Sequence, residues 1–365
     1  MKIKLSIMEN HLPRRNFLKL GMGLTAVGLL GSSLLTHGNT AIKRLPRWRG
    51  FNLLEKFNGA HNQSFVEKDF QMIADWGFDF VRLPMSYHCW SRPDNWLTLN
   101  EEVLKEIDQA IAYGNKYKLH VNLNLHRIPG YCVNLPAEPL NLWKDDKALG
   151  AAVFHWQNFA KRYKGISSKK LSFDLINEPS NVTEPDYVRV ISRIVDAIRS
   201  EDPDRIIIID GMQYGTQPVF GLVKQNLGQS TRGYAPMHIS HFKASWVKGS
   251  DNWAIPEWPL QASEKDIWDK NRLIKDVFDP WKKLAATGTG VHVGEWGAYN
   301  HTPHQVTLAW MKDNLEIWKE NGWGWSLWNF RGNFGILDSE RKDVDYEDYQ
   351  GHQLDRKMLD LLQSY

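Results

Sequence analysis

A strand–helix–strand pattern runs from residue 171 to residue 210 of this 365-residue chain. It reads Leu171-Ser172-Phe173-Asp174-Leu175-Ile176-Asn177-Glu178-Pro179, then an amphipathic stretch over 187–199, then Ile206-Ile207-Ile208-Ile209-Asp210. Short apolar runs separated by stretches with apolar residues at helical spacing are typical of parallel strands joined by crossover helices. The pattern therefore predicts an α/β fold with a parallel sheet.

The same alternation continues over residues 48–362. It predicts eight strands, at 50–54, 78–83, 120–125, 171–176, 206–210, 237–242, 291–295 and 324–329. The clearest predicted helices lie at 66–76, 101–117, 147–163, 187–199, 274–286, 305–320 and 354–362. Eight such units close a (β/α)8 TIM barrel, and because no Ser-, Gly- or Pro-rich linker interrupts them we expect a single domain over residues 42–365.

An open doubly wound sheet is the alternative fold. A nucleotide-binding sheet of that kind carries a Gly-rich turn after its first strand, whereas Leu54-Glu55-Lys56 follows here. The barrel is therefore the favoured prediction.

The composition argues against several classes of protein. With 42% hydrophobic and 24% charged residues, the chain is neither disordered nor fibrous. The formal charge is +3, but residues 1–41 hold five basic residues and one acidic residue, so the rest of the chain carries −1. A nearly neutral body without a basic stripe does not attract phosphate backbones, and we expect no nucleic-acid partner.

Residues 1–41 are predicted to form a signal peptide. Pro13-Arg14-Arg15-Asn16-Phe17-Leu18-Lys19 precedes an uncharged run over 20–35 and resembles a twin-arginine export signal. The best cleavage candidate is Asn39-Thr40-Ala41, which predicts an exported protein, periplasmic or extracellular, without stable membrane association once the signal is removed. A permanent N-terminal membrane anchor is the alternative. Export would permit a disulfide between Cys89 and Cys132, but unlinked thiols are the favoured prediction.

Two carboxylates end predicted strands. Glu178 follows the fourth strand and Glu295 ends the seventh, in Val291-His292-Val293-Gly294-Glu295. The carboxyl ends of all barrel strands meet at one face, so the two side chains can lie opposite each other. Glycosidic bond cleavage uses such a pair, one carboxyl protonated and the other ionised.

Aromatic residues are enriched, with 17 Trp in the chain. The long loops predicted after the strands carry Tyr87, Trp90, Trp96, Tyr131, Trp143, Trp246, Trp253 and Trp258. These rings either pack the loops or stack against the flat faces of sugars.

Five motifs together make the chain similar to a known family. They are Val81-Arg82-Leu83-Pro84, Leu125-His126-Arg127-Ile128-Pro129-Gly130, Asn177-Glu178-Pro179, Gly294-Glu295-Trp296-Gly297 and Ser326-Leu327-Trp328-Asn329. With them the sequence resembles the cellulase-type retaining glycoside hydrolases of family 5 over residues 48–362.

The resemblance implies a retaining O-glycosyl hydrolase that cleaves β-glycosidic bonds of a polysaccharide or oligosaccharide and needs no cofactor or metal. We also expect the protein to be a monomer. It makes Glu178 the acid/base and Glu295 the nucleophile, and it assigns substrate binding to Arg82, His126, Asn177, His241 and Trp328. Four of these residues have a structural alternative: Arg82 paired with Asp79 or another carboxylate, a core role for His126 or Trp328, and a turn cap for Asn177.

One motif departs from the family. A His-x-Tyr pair usually follows strand six, with the Tyr supporting the nucleophile, but the chain reads Met237-His238-Ile239-Ser240-His241-Phe242-Lys243. We align His241 with the family His, which places Lys243 at the Tyr position. The alternative aligns His238 and Ser240.

Two other functions remain open from the sequence. A metal-dependent barrel hydrolase is suggested by His120, His126, His238, His241 and His292, although the first strand lacks the His-x-His pair common in that class. A sugar-binding barrel without catalysis is the other alternative. The sequence does not choose between β-1,4-glucan, β-1,3-glucan, mannan and other β-glycosides, or between endo and exo action.

Overall fold

A computed structural model describes residues 45–263 and 266–365 of the chain. Its parallel strands are β1 (Arg49–Asn52), β2 (Phe80–Ser86), β3 (His120–Ile128), β4 (Leu171–Asp174), β5 (Ile206–Asp210), β6 (Gly228–Gly233), β7 (Val291–Trp296) and β8 (Gly324–Leu327). Each strand pairs with the next, and β8 pairs with β1 through Ser326 opposite Gly50, so the sheet closes. The predicted (β/α)8 barrel is confirmed, and the predicted signal peptide at 1–41 lies outside the described residues.

Helices surround the barrel. The α-helices are Glu67–Asp75, Glu101–Tyr117, Asp146–Arg162, Glu184–Glu201, His304–Asn321 and Arg356–Gln363. A further helical stretch joins Lys270–Arg272, the π-helical Leu273–Phe278 and Asp279–Ala285. Side chains cap four of these α-helices: Asn100, Asp145, Thr183 and Asp355 each accept a hydrogen bond from an N–H of the first turn. Such caps replace the bonds that a helix start lacks.

The loops contain short elements. Single helical turns lie at Met212–Gly215 and Met237–Ser240, and 3-10 turns at Gly59–His61, Tyr87–Cys89, Phe220–Gln225 and Ser250–Asn252. Tyr131–Cys132 folds back on β3, and two hairpins pair Leu260–Ser263 with Asp266–Trp268 and Glu347–Tyr349 with His352–Leu354. Both cysteines are free thiols. No helix in the described ranges is long and apolar enough to cross a membrane.

The position predicted for the sixth strand, 237–242, is wrong. The sixth strand is β6, Gly-Gln-Ser-Thr-Arg-Gly, and the predicted segment begins with the helical turn Met237–Ser240. A strand buried on both faces is normally apolar, but β6 is buried with polar side chains, of which Gln229, Ser230 and Arg232 are hydrogen-bonded. The amide of Gln229 bonds both backbone groups of Val219 at 2.9 and 2.7 Å. Arg232 bonds carboxylates inside the barrel.

The inside of the barrel changes character from one end to the other. Toward the amino ends of the strands it is filled by a buried apolar cluster: Leu45, Trp48, Phe80, Ile206 and Ile208. Toward the carboxyl ends the inward positions are polar and buried, and they are occupied by Asn52, Arg82, Asp174, Asp210 and Arg232. Burial of charged groups is unfavourable unless they are paired, so this network of buried charged residues indicates that the active site lies at the carboxyl ends of the strands.

Candidate active site

Glu178 lies four residues beyond the end of β4 and is fixed by its backbone. Its φ of 47° is in the left-handed region, where a non-glycine residue is strained by about 1–2 kcal/mol. Neighbouring side chains hold it there: the Glu178 N–H donates to Asp210 Oδ2 at 2.8 Å, and the Tyr131 hydroxyl donates to the Glu178 carbonyl oxygen at 2.6 Å. The side chain keeps 16% of its surface exposed, so its carboxyl group remains accessible at the barrel mouth.

Glu295 reaches the same mouth from β7. The pairing of β7 with β6 shifts between Val293 and Glu295, which puts Glu295 directly opposite Arg232. Such a bulge re-aims a side chain and is frequent beside active sites. Glu295 Oε1 accepts hydrogen bonds from Arg82 Nη1 at 2.7 Å and Arg232 Nη2 at 3.3 Å, and Oε2 accepts one from the Tyr234 hydroxyl at 3.3 Å. Two guanidinium groups therefore place their positive charge against this carboxylate.

Arg82 ties the nucleophile candidate to the barrel floor. Its Nε donates to Asp174 Oδ2 at 2.8 Å, and Nη2 donates to Asn177 Oδ1 at 2.9 Å. Arg82 is not paired with Asp79, whose carboxylate accepts from the Arg49 N–H instead. The pairing with Asp79 is therefore wrong, but Arg82 does pair with another carboxylate, that of Asp174, while it also lies against Glu295.

Arg232 was not identified from the sequence, yet it joins the two acids. Its Nε donates to Glu178 Oε1 at 2.8 Å and its Nη2 donates to Glu295 Oε1 at 3.3 Å. Asp210 accepts from both Nη1 and Nη2. Two features of the sequence could have indicated Asp210 and Arg232. Asp210 ends a strand that is otherwise all Ile, Arg232 lies in an otherwise uncharged polar segment, and charged residues are unusual inside a barrel.

The two candidate acids have unequal surroundings. Burial, and after it the negative charge of Glu295, raises the pKa of Glu178 to about 7. A buried carboxyl group beside an anion resists ionisation. Glu178 can therefore hold a proton near neutral pH while Glu295 is paired with arginine.

His126 and Trp328 form part of the cleft wall. Their rings stack with centroids 5.7 Å apart, and the Phe57 ring lies 4.5 Å from His126. Burial and the nearby charges of Arg82 and Arg232 lower the pKa of His126 well below its usual value, so the ring is neutral. His126 Nε2 faces Asn177 Nδ2 at 3.3 Å. Trp328 is only half-buried, which leaves part of its ring for a ligand.

The alignment of His241 and Lys243 with the family motif is wrong in its structural premise, because neither residue follows a strand. His241 follows the helical turn Met237–Ser240, and Lys243 is exposed with its ammonium over the Phe242 ring. The tyrosine beside the nucleophile candidate is Tyr234, one residue after β6. His241 still lies near the site, since its ring centroid is 5.1 Å from that of Tyr234.

Most of the loop aromatics pack the loops. Tyr87, Trp90, Trp96 and Trp143 are buried, whereas 59% of Trp246 is exposed. The Trp246 ring lies 4.9 Å from Tyr299 and 6.2 Å from Phe334. Phe334 in turn contacts the rings of Tyr234 and His241. A chain of rings therefore leads from Glu295 to an exposed tryptophan.

The histidines considered as metal ligands do not converge. His120 stacks on Trp48 at 3.7 Å, and His292 lies 4.8 Å from Phe80, both toward the apolar end of the barrel. His238 packs on Trp253 outside it. Within residues 45–263 and 266–365, no three His, Cys, Asp or Glu side chains form a group able to hold a metal ion.

Comparisons with known proteins agree with this geometry. The model of the cellulase family, glycosyl hydrolase family 5, matches residues 37–334. Endoglucanase C of Acetivibrio thermocellus is 27% identical over 320 residues, covering 80% of this chain and 92% of its own length. Cellodextrinase A of Ruminococcus flavefaciens is 26% identical over 270 residues, covering 70% and 75%.

A crystal structure described as a glycoside hydrolase is 39% identical, with a TM-score of 0.83 over 87% of this chain and 99% of that one. The endoglucanase Cel5A of Thermotoga maritima, 23% identical with a TM-score of 0.70 over 88% of this chain and 97% of its own, shares the fold. Together with the match to the family model, the barrel and its paired carboxylates place the chain in glycosyl hydrolase family 5, as a retaining hydrolase of β-glycosidic bonds.

Proposed function

We propose that Glu178 is the acid/base and Glu295 the nucleophile of a hydrolase that cleaves β-1,4-linked glucan chains. The observation that carries the proposal is that both carboxylates bond the same Arg232 guanidinium at the barrel mouth while their surroundings differ. One carboxyl group has its pKa raised to about 7 and the other accepts hydrogen bonds from two arginines. Retaining hydrolysis needs one protonated and one ionised group.

The reaction has two displacements. In the first, a Glu295 oxygen bonds to the anomeric carbon, the glycosidic C–O bond breaks, and the Glu178 proton passes to the leaving oxygen. In the second, water gives a proton to Glu178 and its oxygen attacks the anomeric carbon, releasing Glu295. Two inversions at one carbon retain its configuration. Once Glu295 is esterified, its charge no longer opposes ionisation of Glu178, which can then act as base.

Asn177 is suited to bind the sugar 2-hydroxyl. Its Oδ1 accepts from Arg82 Nη2 at 2.9 Å and Arg232 Nη2 at 2.8 Å, which fixes the orientation of the amide. Nδ2 is then turned away from the arginines and can donate to a substrate oxygen. We propose substrate contacts also for Arg82, His126, His241 and Trp328, with the half-buried Trp328 ring as the platform for the sugar being cleaved.

The substrate proposal rests on the relatives. Endoglucanase C and Cellodextrinase A are named for action on glucan and on cellodextrins, so we propose internal cleavage of β-1,4-glucan. A panel of cello-, laminari- and manno-oligosaccharides with product analysis tests this. We expect cellohexaose to be cut internally and faster than the others; faster cleavage of another series, or release of single sugars from one end only, would refute it.

The assigned roles can be tested with isosteric variants. We expect Glu178→Gln and Glu295→Gln to lose nearly all activity on cellohexaose, because each removes a group that changes covalently or gives up a proton. Glu316→Gln is the matched control, since Glu316 bonds Lys270 and Tyr365 on the outside of the barrel. A Glu295→Gln enzyme with wild-type turnover would exclude the assignment.

We also propose that the chain is exported through its twin-arginine segment and acts as a monomer. Arg14-Arg15 supports export, and the site is assembled from residues of one chain. The double change Arg14→Lys, Arg15→Lys should leave the protein in the cytoplasmic fraction of a host that exports the wild type. Equal export of the double variant would contradict the signal, and a dimer in light scattering would contradict the monomer.

A further inference from the structure

Arg232 is buried and aims a single N–H at the proposed acid/base. We propose that Arg232 is a positioning residue that decides which oxygen of Glu178 carries the catalytic proton. The inference rests on the proposed role of Glu178 and adds a second residue to it. Three features of the structure support it: the space made for Arg232, the way its guanidinium is anchored, and the direction of its Nε–H.

Two glycines make room for Arg232. A Cβ at Gly294 would lie 3.0 Å from Arg232 Nη1 and 2.3 Å from Ser230 Oγ. A Cβ at Gly215, whose φ is +74°, would lie 2.8 Å from Arg232 Cγ. Side chains at either position would displace the arginine or its neighbours. The bulge of β7 at Gly294 and the turn after β5 therefore both fit an arginine at this place.

The terminal nitrogens of Arg232 are held by other residues. Asp210 accepts from Nη1 at 3.0 Å and also from Nη2, Asn177 Oδ1 accepts from Nη2 at 2.8 Å, and Ser230 Oγ accepts from Nη1 at 3.1 Å. Asp210 also accepts the Glu178 N–H. The guanidinium and the backbone of the acid/base are thus fixed to one carboxylate. A planar fork with this many bonds has a defined orientation that a lysine ammonium lacks.

The remaining donor, Nε–H, selects the oxygen. It points at Glu178 Oε1 from 2.8 Å, so Oε1 must accept and a proton there would oppose the N–H. Neutral Glu178 therefore carries its proton on Oε2, from which it passes to the leaving oxygen. When the proton has gone, the charge of Arg232 stabilises the carboxylate. The other titratable groups around Glu178 are Glu295, Asp210, Tyr131, Cys132 and Tyr234.

Two aryl cellobiosides distinguish positioning from a structural role. Dinitrophenolate leaves without a proton, whereas methylumbelliferone needs one. We expect Arg232→Gln to lower kcat/KM for the methylumbelliferyl substrate by about 100-fold, a typical contribution of general acid catalysis. The loss in kcat/KM for the dinitrophenyl substrate should be at least tenfold smaller, that is, about tenfold at most. In the Arg232→Gln variant, the decline of kcat/KM for the methylumbelliferyl substrate at basic pH should move to higher pH, because a positive charge that favours the Glu178 carboxylate is removed. Equal losses on both substrates, or an unmoved decline at basic pH, would overturn the inference.

Arg232→Lys provides the second variant. The lysine keeps the positive charge but lacks the planar guanidinium group with its several N–H donors. We therefore expect the decline of kcat/KM at basic pH to stay near that of the wild type, while the rate on the methylumbelliferyl substrate remains low. Full recovery of that rate by lysine would show that charge alone suffices and would overturn the positioning role. Arg205→Gln is the matched control, because Arg205 is equally buried but bonds Asp202 and backbone carbonyls away from the mouth. It should lower Tm and leave the ratio of the two rates unchanged.

Glu178→Gln separates the two possible failures. If Glu178→Gln lowers kcat/KM equally for both aryl cellobiosides, the acid/base assignment itself fails. If Glu178→Gln shows the selective loss and Arg232→Gln does not, only the inference about Arg232 fails. We expect both to be selective, and the double variant to be no more selective than Glu178→Gln alone, because Arg232 acts through Glu178.

Discussion

Arg82 Nη1 and Glu295 Oε1 lie 2.7 Å apart although 213 positions separate them in the chain. The bond crosses the inside of the barrel from β2 to β7, and both side chains are almost completely buried. Asp174 completes the arrangement by accepting from Arg82 Nε at 2.8 Å. Arg82 therefore compensates one carboxylate at the mouth and one below it, and its removal leaves both without this positive charge.

Arg82→Leu should lower both stability and activity. It leaves Asp174 and Glu295 without their shared cation, and breaking a buried ion pair typically costs about 3–5 kcal/mol. We expect a loss of that size in the free energy of unfolding measured with urea, and kcat/KM on cellohexaose lower by more than 100-fold. Arg92→Leu is the control, because its pair with Asp94 is exposed and contributes little. Equal small effects of both variants would contradict the account.

Tyr234, and not Lys243, should support the nucleophile. Tyr234→Phe removes one hydrogen bond to a carboxylate, which is typically worth about 1.5–3 kcal/mol, so we expect kcat to fall by about tenfold or more. Lys243→Ala should leave kcat unchanged, because that side chain is exposed and faces Phe242. Steady-state kinetics on cellohexaose measure both. A larger loss of kcat in Lys243→Ala than in Tyr234→Phe would contradict this assignment and support the alignment of Lys243 with the family tyrosine.

The pH profile should have a basic limb set by Glu178. Burial and the charge of Glu295 raise the pKa of Glu178 to about 7, so the acid is protonated below that pH and loses its proton above it. We expect kcat/KM on cellohexaose to decline as the pH rises through about 7. With the dinitrophenyl cellobioside, which needs no proton, the limb should be absent. An identical basic limb with both substrates would assign it to another group.

Trp246 should matter for long substrates only. Its ring is 59% exposed and is joined to the site through Phe334. Stacking of a sugar on an aromatic face is worth about 1 kcal/mol, so Trp246→Ala should raise KM for cellohexaose severalfold and leave aryl cellobioside kinetics unchanged. Phe220→Ala, an exposed aromatic after β5, is the control and should change neither. A loss of kcat on the aryl substrate would contradict a role confined to binding.

Strands that are apolar in sequence and buried in the structure could be predicted from the sequence alone. Leu171–Asp174 and Ile206–Asp210 contain apolar runs that end in Asp, and Val291–Trp296 carries Glu295 next to its last residue. Because parallel barrel strands end at one face, the sequence predicted that Glu178, just beyond Leu171–Asp174, lies close to Glu295. Arg82, His126, Asn177 and Trp328 were identified through the resemblance to the family, whose motifs lie at the ends of the predicted strands. The strand order and the placement of the helices were predicted correctly as far as apolar burial determined them.

β6 could not be predicted because its stability comes from partners distant in sequence. Gly-Gln-Ser-Thr-Arg-Gly has no apolar alternation, and its burial depends on Val219, Asp210 and Glu178. The more apolar segment at 237–242 was chosen instead, and the error moved the family motif to His241 and Lys243. Arg232 and Tyr234 were missed for this reason.

Covalent trapping tests the central claim most directly. A 2-deoxy-2-fluoro cellobioside with a dinitrophenolate leaving group slows the release step, so the glycosyl-enzyme accumulates. The account predicts that mass spectrometry finds one added cellobiosyl group, and that peptide mapping places it on Glu295 and nowhere in the Glu295→Gln variant. An adduct on a different residue, or no adduct while the enzyme still turns over this reagent, would contradict the assignment of Glu295.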